Sequence, residues 1–187
     1  MDEDETGGSN RSHGADELAG IFAFEGSFDW APPKVIHAKV VSAEWDPVNE
    51  FTNPKGIPGS WSRYSLSVVN SGRIEVDIGT VVLEDTLPLD VQLFVGDLDG
   101  SGCPFEFIDG ADTSGLAFSC ATGIELLSTS PPCATADNFC PITDFTFANE
   151  WDSDDITDVR VTLDNAFVGS DGVSSPEFEI QYRVRLD

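Results

Sequence analysis

The chain has 187 residues, of which 34 are Asp or Glu and 9 are Lys or Arg, for a formal charge of −25 at neutral pH. So acidic a surface speaks against nucleic acid as a partner, since gripping phosphates takes clustered Lys and Arg, and an anionic membrane would repel it. Hydrophobic residues make up 40% of the chain, enough for one sizeable core. No run approaches the roughly 20 apolar residues of a membrane span, so membrane insertion is not expected.

Residues 1–20, MDEDETGGSNRSHGADELAG, are of low complexity and read as an acidic flexible tail. The tail holds the sequon Asn10-Arg11-Ser12, a glycan acceptor in exported chains of organisms that glycosylate them. It shows neither the basic nor the apolar region of a signal peptide, so an exported form is expected to be numbered here after processing. Residues 21–33 change character. Within FAFEGSFDW (22–30), alternate positions place Phe22, Phe24, Gly26, Phe28 and Trp30 on one face of an extended strand and Ala23, Glu25, Ser27 and Asp29 on the other. Ala31-Pro32-Pro33 then favours an extended joint over a tight hairpin.

Residues 34–187 read as one domain. Strands are expected over 34–45, 61–72, 91–98, 144–148, 158–163 and 177–186, with one bent strand or two short ones over 73–88. The clearest is EFEIQYRVRL (177–186), where Phe178, Ile180, Tyr182, Val184 and Leu186 face one way and charged or amide residues the other. No segment sustains helical spacing beyond a turn or two. The predicted fold is all-β, an immunoglobulin-like antiparallel β-sandwich with an extended N-terminal strand.

Four cysteines fall within 38 consecutive residues, at Cys103, Cys120, Cys133 and Cys140. None has C-x-x-C spacing, and His37 is the only histidine outside the tail, so two disulfides are expected rather than zinc. Disulfides imply an oxidising compartment. Three connectivities exist. Cys103 with Cys120 is preferred, across an expected hairpin in FEFIDGADTSGLAF, and Cys133 with Cys140 closes a short loop.

Candidate metal ligands are Asp97, Asp99 and Ser101 in GDLDGSG, which imitate the first half of a calcium loop. The twelfth position from Asp97 is Ile108, where an EF-hand carries Glu, so only a looser calcium site through Glu106 or Asp109 would remain. A Gly- and Asp-rich turn is the simpler expectation. Glu150, Asp152, Asp154 and Asp155 could hold a cation, but a solvated acidic loop is the simpler expectation. No nucleophile elbow, phosphate loop or H-E-x-x-H motif is present, and His37 lies in a predicted strand, so no enzyme is expected and no cofactor is required.

The run DPVNEFTNPKGIPGSWSRYSLSVVNSG (46–72) resembles the opening of the immunoglobulin-like "conserved repeat" domain of bacterial cell-surface adhesins and sheath components. The resemblance is carried by Asp46-Pro47, Asn53-Pro54-Lys55, Ile57-Pro58-Gly59, Tyr64, Val68, Asn70 and Asp85-Thr86-Leu87-Pro88. Later segments, 95–98, 107–116, 155–163 and 178–186, follow the same order, so the likeness spans roughly residues 40–187. It implies a β-sandwich with an extracellular structural or adhesive role and supplies no catalytic residue. The cysteines and the aromatic N-terminal segment depart from the family pattern.

That aromatic segment invites comparison with the N-terminal extensions of donor-strand pilins, which it resembles in its row of large side chains broken by one small one. Burying four aromatics is worth on the order of 10 kcal/mol, the same size as the cost of ordering the segment, so main-chain pairing to a sheet edge must supply the margin. The expected function is therefore a subunit of an extracellular filament or surface sheath, its partners being copies of itself in a homopolymer. Polymerisation would run through Phe22, Phe24, Gly26, Phe28 and Trp30 inserted into the next subunit. The alternative is a monomeric cell-surface adhesion or ligand-binding module, its first strand packed on its own domain and calcium a candidate ligand.

Overall fold

Apolar residues alternate most regularly over Glu177–Leu186, and this segment becomes the central strand of the larger of two sheets. A computed structural model describes residues 33–152 and 155–187. In chain order the strands are β1 (Val35–Trp45), β2 (Trp61–Asn70), β3 (Val81–Thr86), β4 (Val91–Leu93), β5 (Phe105–Asp109), β6 (Ile124–Ser128), β7 (Phe139–Pro141), β8 (Ile156–Leu163) and β9 (Glu177–Leu186). One helical turn, α1 (Cys120–Gly123), precedes β6. The first sheet has the order β1-β2-β9, with β4 and β5 one after the other along the far edge of β9; the second has the order β3-β8-β6-β7. Every strand pair is antiparallel. The fold is an all-β sandwich.

The core forms where the inward faces meet. Tyr64, Leu66 and Val68 of β2 and Phe178, Ile180, Tyr182 and Val184 of β9 pack against Val159, Val161 and Leu163 of β8 and Ile124 and Leu126 of β6. Tyr64 pairs with Tyr182 across the sheet, and their rings stack at 5.3 Å. Each outer face is tied by an arginine. Arg160 on β8 reaches Glu84 of β3 at 2.7 Å and Asp137 at 2.8 Å, with its guanidinium 3.7 Å from the Phe139 ring. Arg63 on β2 donates to Glu44 at 2.6 Å and to Gln181 at 2.6 Å. Scarce cations thus sit where several acidic strands meet.

The family-like motifs prove to be scaffold. Asp46 is fully buried, and its carboxylate accepts hydrogen bonds from the backbone of Val48, Asn49 and Lys55 and from the Asn49 side chain, closing the β1–β2 loop. Burial pushes its carboxyl up, but these donors outweigh it and hold the pKa at about 2. Gly59, at φ 85°, makes the left-handed turn into β2. Buried Asn70 donates to the carbonyls of Ile74 and Val168 at 3.0 and 3.1 Å and accepts from the Gly72 amide.

Several expectations are corrected. In 73–88 only Val81–Thr86 is a strand, and Val76 makes a single bridge to Phe167. In 91–98 the strand stops at Leu93, after which Phe94 bridges Trp151. Residues 144–148 form no strand. A 3-10 turn occupies Ile142–Asp144, and Phe145 and Phe147 stack on each other at 5.7 Å while packing on the core. Their alternation serves ring burial without ladder pairing, and the real strand there, β7, lies just upstream, inside the cysteine loop.

Both expected disulfides form, Cys103–Cys120 with Cα atoms 5.9 Å apart and Cys133–Cys140 with 5.7 Å. The hairpin behind the first pairing does not. β5 pairs with β9 in the first sheet, whereas Ala117 bridges Asp164 next to β8 and Cys120 leads into β6 of the second. Cys103–Cys120 therefore staples one sheet to the other. Two disulfides suit a compartment outside the reducing cytosol.

Candidate functional site

β1 and β3 are the end strands of their sheets, and among the described residues neither has a second partner. Strand β1 differs from the rest in burial. Its first eight residues are all exposed, including Val35, Ile36, Val40 and Val41, each near half of full exposure. From Val35 to Ala43 it runs nine residues in continuous register with β2, and within those nine Lys39 is the only formally charged residue. Natural edge strands are usually short, bulged or protected by charge, because free N–H and C=O groups recruit other strands. Among the described residues this edge is long, largely apolar and without a second partner.

Opposite residues on paired strands share a face. Val35, His37, Lys39 and Val41 lie opposite Asn70, Val68, Leu66 and Tyr64, so these β1 side chains point inward, as does Ala43 at the next alternate position. Between them and β3 lies a groove of about 320 Å³ lined by Val35, His37, Val68, Val81, Leu83 and Phe167. Phe167 and Val68 form an almost fully buried floor. A cavity of roughly 150 Å³ suffices for a benzene ring, so this groove has room for about two.

One polar contact crosses the groove. Lys39 Nζ lies 2.7 Å from the Asp85 carboxylate on β3 and 4.4 Å from the centre of the Tyr64 ring. Asp85 also accepts a hydrogen bond from the hydroxyl of fully buried Tyr182. Burial, then the hydrogen bond to Asp85 and its charge, push the Tyr182 phenol well above the usual tyrosine range; burial and Asp85 push Tyr64 up as well. The sequence pattern gave no hint of this clasp, because Lys39 and Asp85 are 46 residues apart and meet only when the sheets face each other.

The other predicted sites divide. Phe22, Phe24, Gly26, Phe28 and Trp30, like Asn10 and Asp154, lie outside the described residues. Asp97 accepts from the amides of Gly100 and Gly102, and Asp99 from that of Ser101, so both carboxylates cap their own turn. Among the described residues no group of three or more His, Cys, Asp or Glu side chains is placed to hold a metal ion. Asp152 departs from the expected solvated loop: it is buried, and its carboxylate accepts from the Ile156 amide at 2.9 Å.

A second surface escaped the sequence reading. On the outer face of the first sheet Trp45 and Trp61 pack at 4.8 Å, and Trp61 and Trp151 at 5.7 Å. Arg183 lies over Trp61 and Phe94, and Arg185 over Trp151. The outward positions of Arg183 and Arg185 were legible, but their aromatic neighbours come from three distant segments.

The sequence matches no protein-family model and no curated protein. The resemblance of residues 46–72 to a cell-surface repeat domain therefore stands on its motifs alone.

Proposed function

We propose that the chain is a structural subunit of an extracellular filament or surface sheath that polymerises by lending residues 22–30 to the open side of the next subunit. The observation that carries this reading is the β1 edge, which has no second partner among the described residues and lies beside an apolar groove. A sandwich missing a strand at that corner is what an incoming alternate-aromatic strand requires. A contact of this kind joins two different surfaces, so it does not close on itself and propagates a chain. The resemblance to surface adhesin and sheath domains and the two disulfides point the same way.

The test compares full-length protein with Phe24→Asp and Phe28→Asp variants by concentration-dependent light scattering and negative-stain electron microscopy. Filaments from the wild type, lost in both variants while the domain stays folded, are expected. A wild type that stays monomeric at every concentration sinks the proposal.

A monomeric adhesion or ligand-binding module is the second reading, favoured by the Trp45, Trp61 and Trp151 row on the outer sheet face. It predicts a persistent monomer and a loss of surface binding in Trp61→Ala.

A further inference from the structure

The groove also specifies how a donor would sit, and this inference rests on the filament reading. β1 offers nine continuous residues, Val35–Ala43, and the aromatic segment has nine, 22–30. The inward positions of β1 are five: Val35, His37, Lys39, Val41 and Ala43. The aromatic row also has five positions: Phe22, Phe24, Gly26, Phe28 and Trp30.

The middle of the first row is Lys39, whose side chain crosses to Asp85 and fills the space there. The middle of the second row is Gly26, the one position with no side chain. Because both centres coincide, the match is the same for parallel and antiparallel pairing.

We propose that residues 22–30 of a second copy of this chain pair with the free edge of β1 over Val35–Ala43, with Gly26 set against the Lys39–Asp85 clasp. Two aromatic rings then enter the groove at its Val35–His37 end, which has room for about two. The other two cover Val41 and Ala43 on the far side of the clasp. The clasp becomes a register pin. A slip of two residues would drive a phenyl ring into Lys39, and a slip of one would turn the aromatic row away from the groove. In sequence, Pro33 and Lys34 lead from residues 1–32 into the first residue of β1, so the aromatic segment and the acceptor edge belong to adjoining stretches of the chain.

The experiment uses full-length protein as wild type, Gly26→Phe, Lys39→Ala, the Gly26→Phe/Lys39→Ala double variant and Phe28→Asp. Critical concentration for assembly is read by light scattering, and melting of the unassembled protein by circular dichroism. Gly26→Phe is expected to raise the critical concentration about tenfold or more, since a ring must displace the clasp. Adding Lys39→Ala should bring it back toward the value of Lys39→Ala alone. Phe28→Asp should abolish assembly. If Phe28→Asp abolishes assembly while Gly26→Phe assembles as the wild type does, or is not rescued, the register is wrong and the filament reading survives. If Phe28→Asp assembles like the wild type, residues 22–30 are not the donor and both fall. If the wild type never assembles, both fall again; a lower melting midpoint in Gly26→Phe then assigns the strand to its own domain.

Discussion

Lys39 on β1 and Asp85 on β3 are 2.7 Å apart and join the end strands of the two sheets. The two ends of this pair are not equivalent. Lys39 is one-third exposed, whereas Asp85 also receives the hydroxyl of buried Tyr182.

Replacing either partner should therefore have unequal effects. Lys39→Ala removes a half-open ion pair and should cost no more than about 1 kcal/mol. Asp85→Ala strands the Tyr182 hydroxyl in the core and should cost about 1–3 kcal/mol. Urea denaturation of each variant checks this, and equal losses would show that Tyr182 does not depend on Asp85.

Acid stability should be set in part by Asp46. Its folded pKa of about 2 lies below the ordinary aspartate value of 3.8. A depressed carboxylate stabilises the fold above its unfolded pKa and loses that contribution as pH falls through the folded one. Melting midpoints should thus drop between pH 4 and pH 2. In Asp46→Asn the midpoint starts lower and the drop is shallower. An unchanged slope in the variant would contradict the hydrogen-bond assignment.

The alkaline side can be read directly, because Tyr64 and Tyr182 are the only two tyrosines. Both phenols are raised above 10.0 by burial. A raised folded pKa means stability is complete below the unfolded value and is lost as pH rises beyond it. Titration followed by tyrosinate absorbance should show Tyr182 ionising only as the far-ultraviolet dichroism of the sheet collapses. Ionisation of both phenols near 10 in folded protein would disprove the packing described for them.

The Cys103–Cys120 bridge closes a separation of 17 residues and ties the two sheets together. Replacing both cysteines with alanine should cost about 3 kcal/mol by loop closure. The measurement is the denaturation midpoint of the double variant, with near wild-type stability as the opposing result. The same change at Cys133 and Cys140, which closes a separation of 7 residues within one loop, should cost somewhat less.

The fold class was legible where side chains alternate without interruption. β9 was read to the residue and β2 to within two, because a strand buried on one face writes its period of two into the sequence. The pairing of the four cysteines was also legible from spacing, though for the wrong structural reason. Residues 144–148 misled because an aromatic alternation reports burial of rings, not hydrogen bonding of backbone.

Composition and local pattern thus determined an acidic, disulfide-bonded all-β domain behind an aromatic N-terminal segment, since those properties depend on residues a few positions apart. Which strands end each sheet, and therefore where an edge is left open, was decided only by the tertiary structure. The same holds for the clasp between Lys39 and Asp85 and for the Trp–Arg row of the outer face. Each depends on side chains dozens of residues apart, brought together by strand order and by the packing of one sheet on the other, and local periodicity carries no record of either.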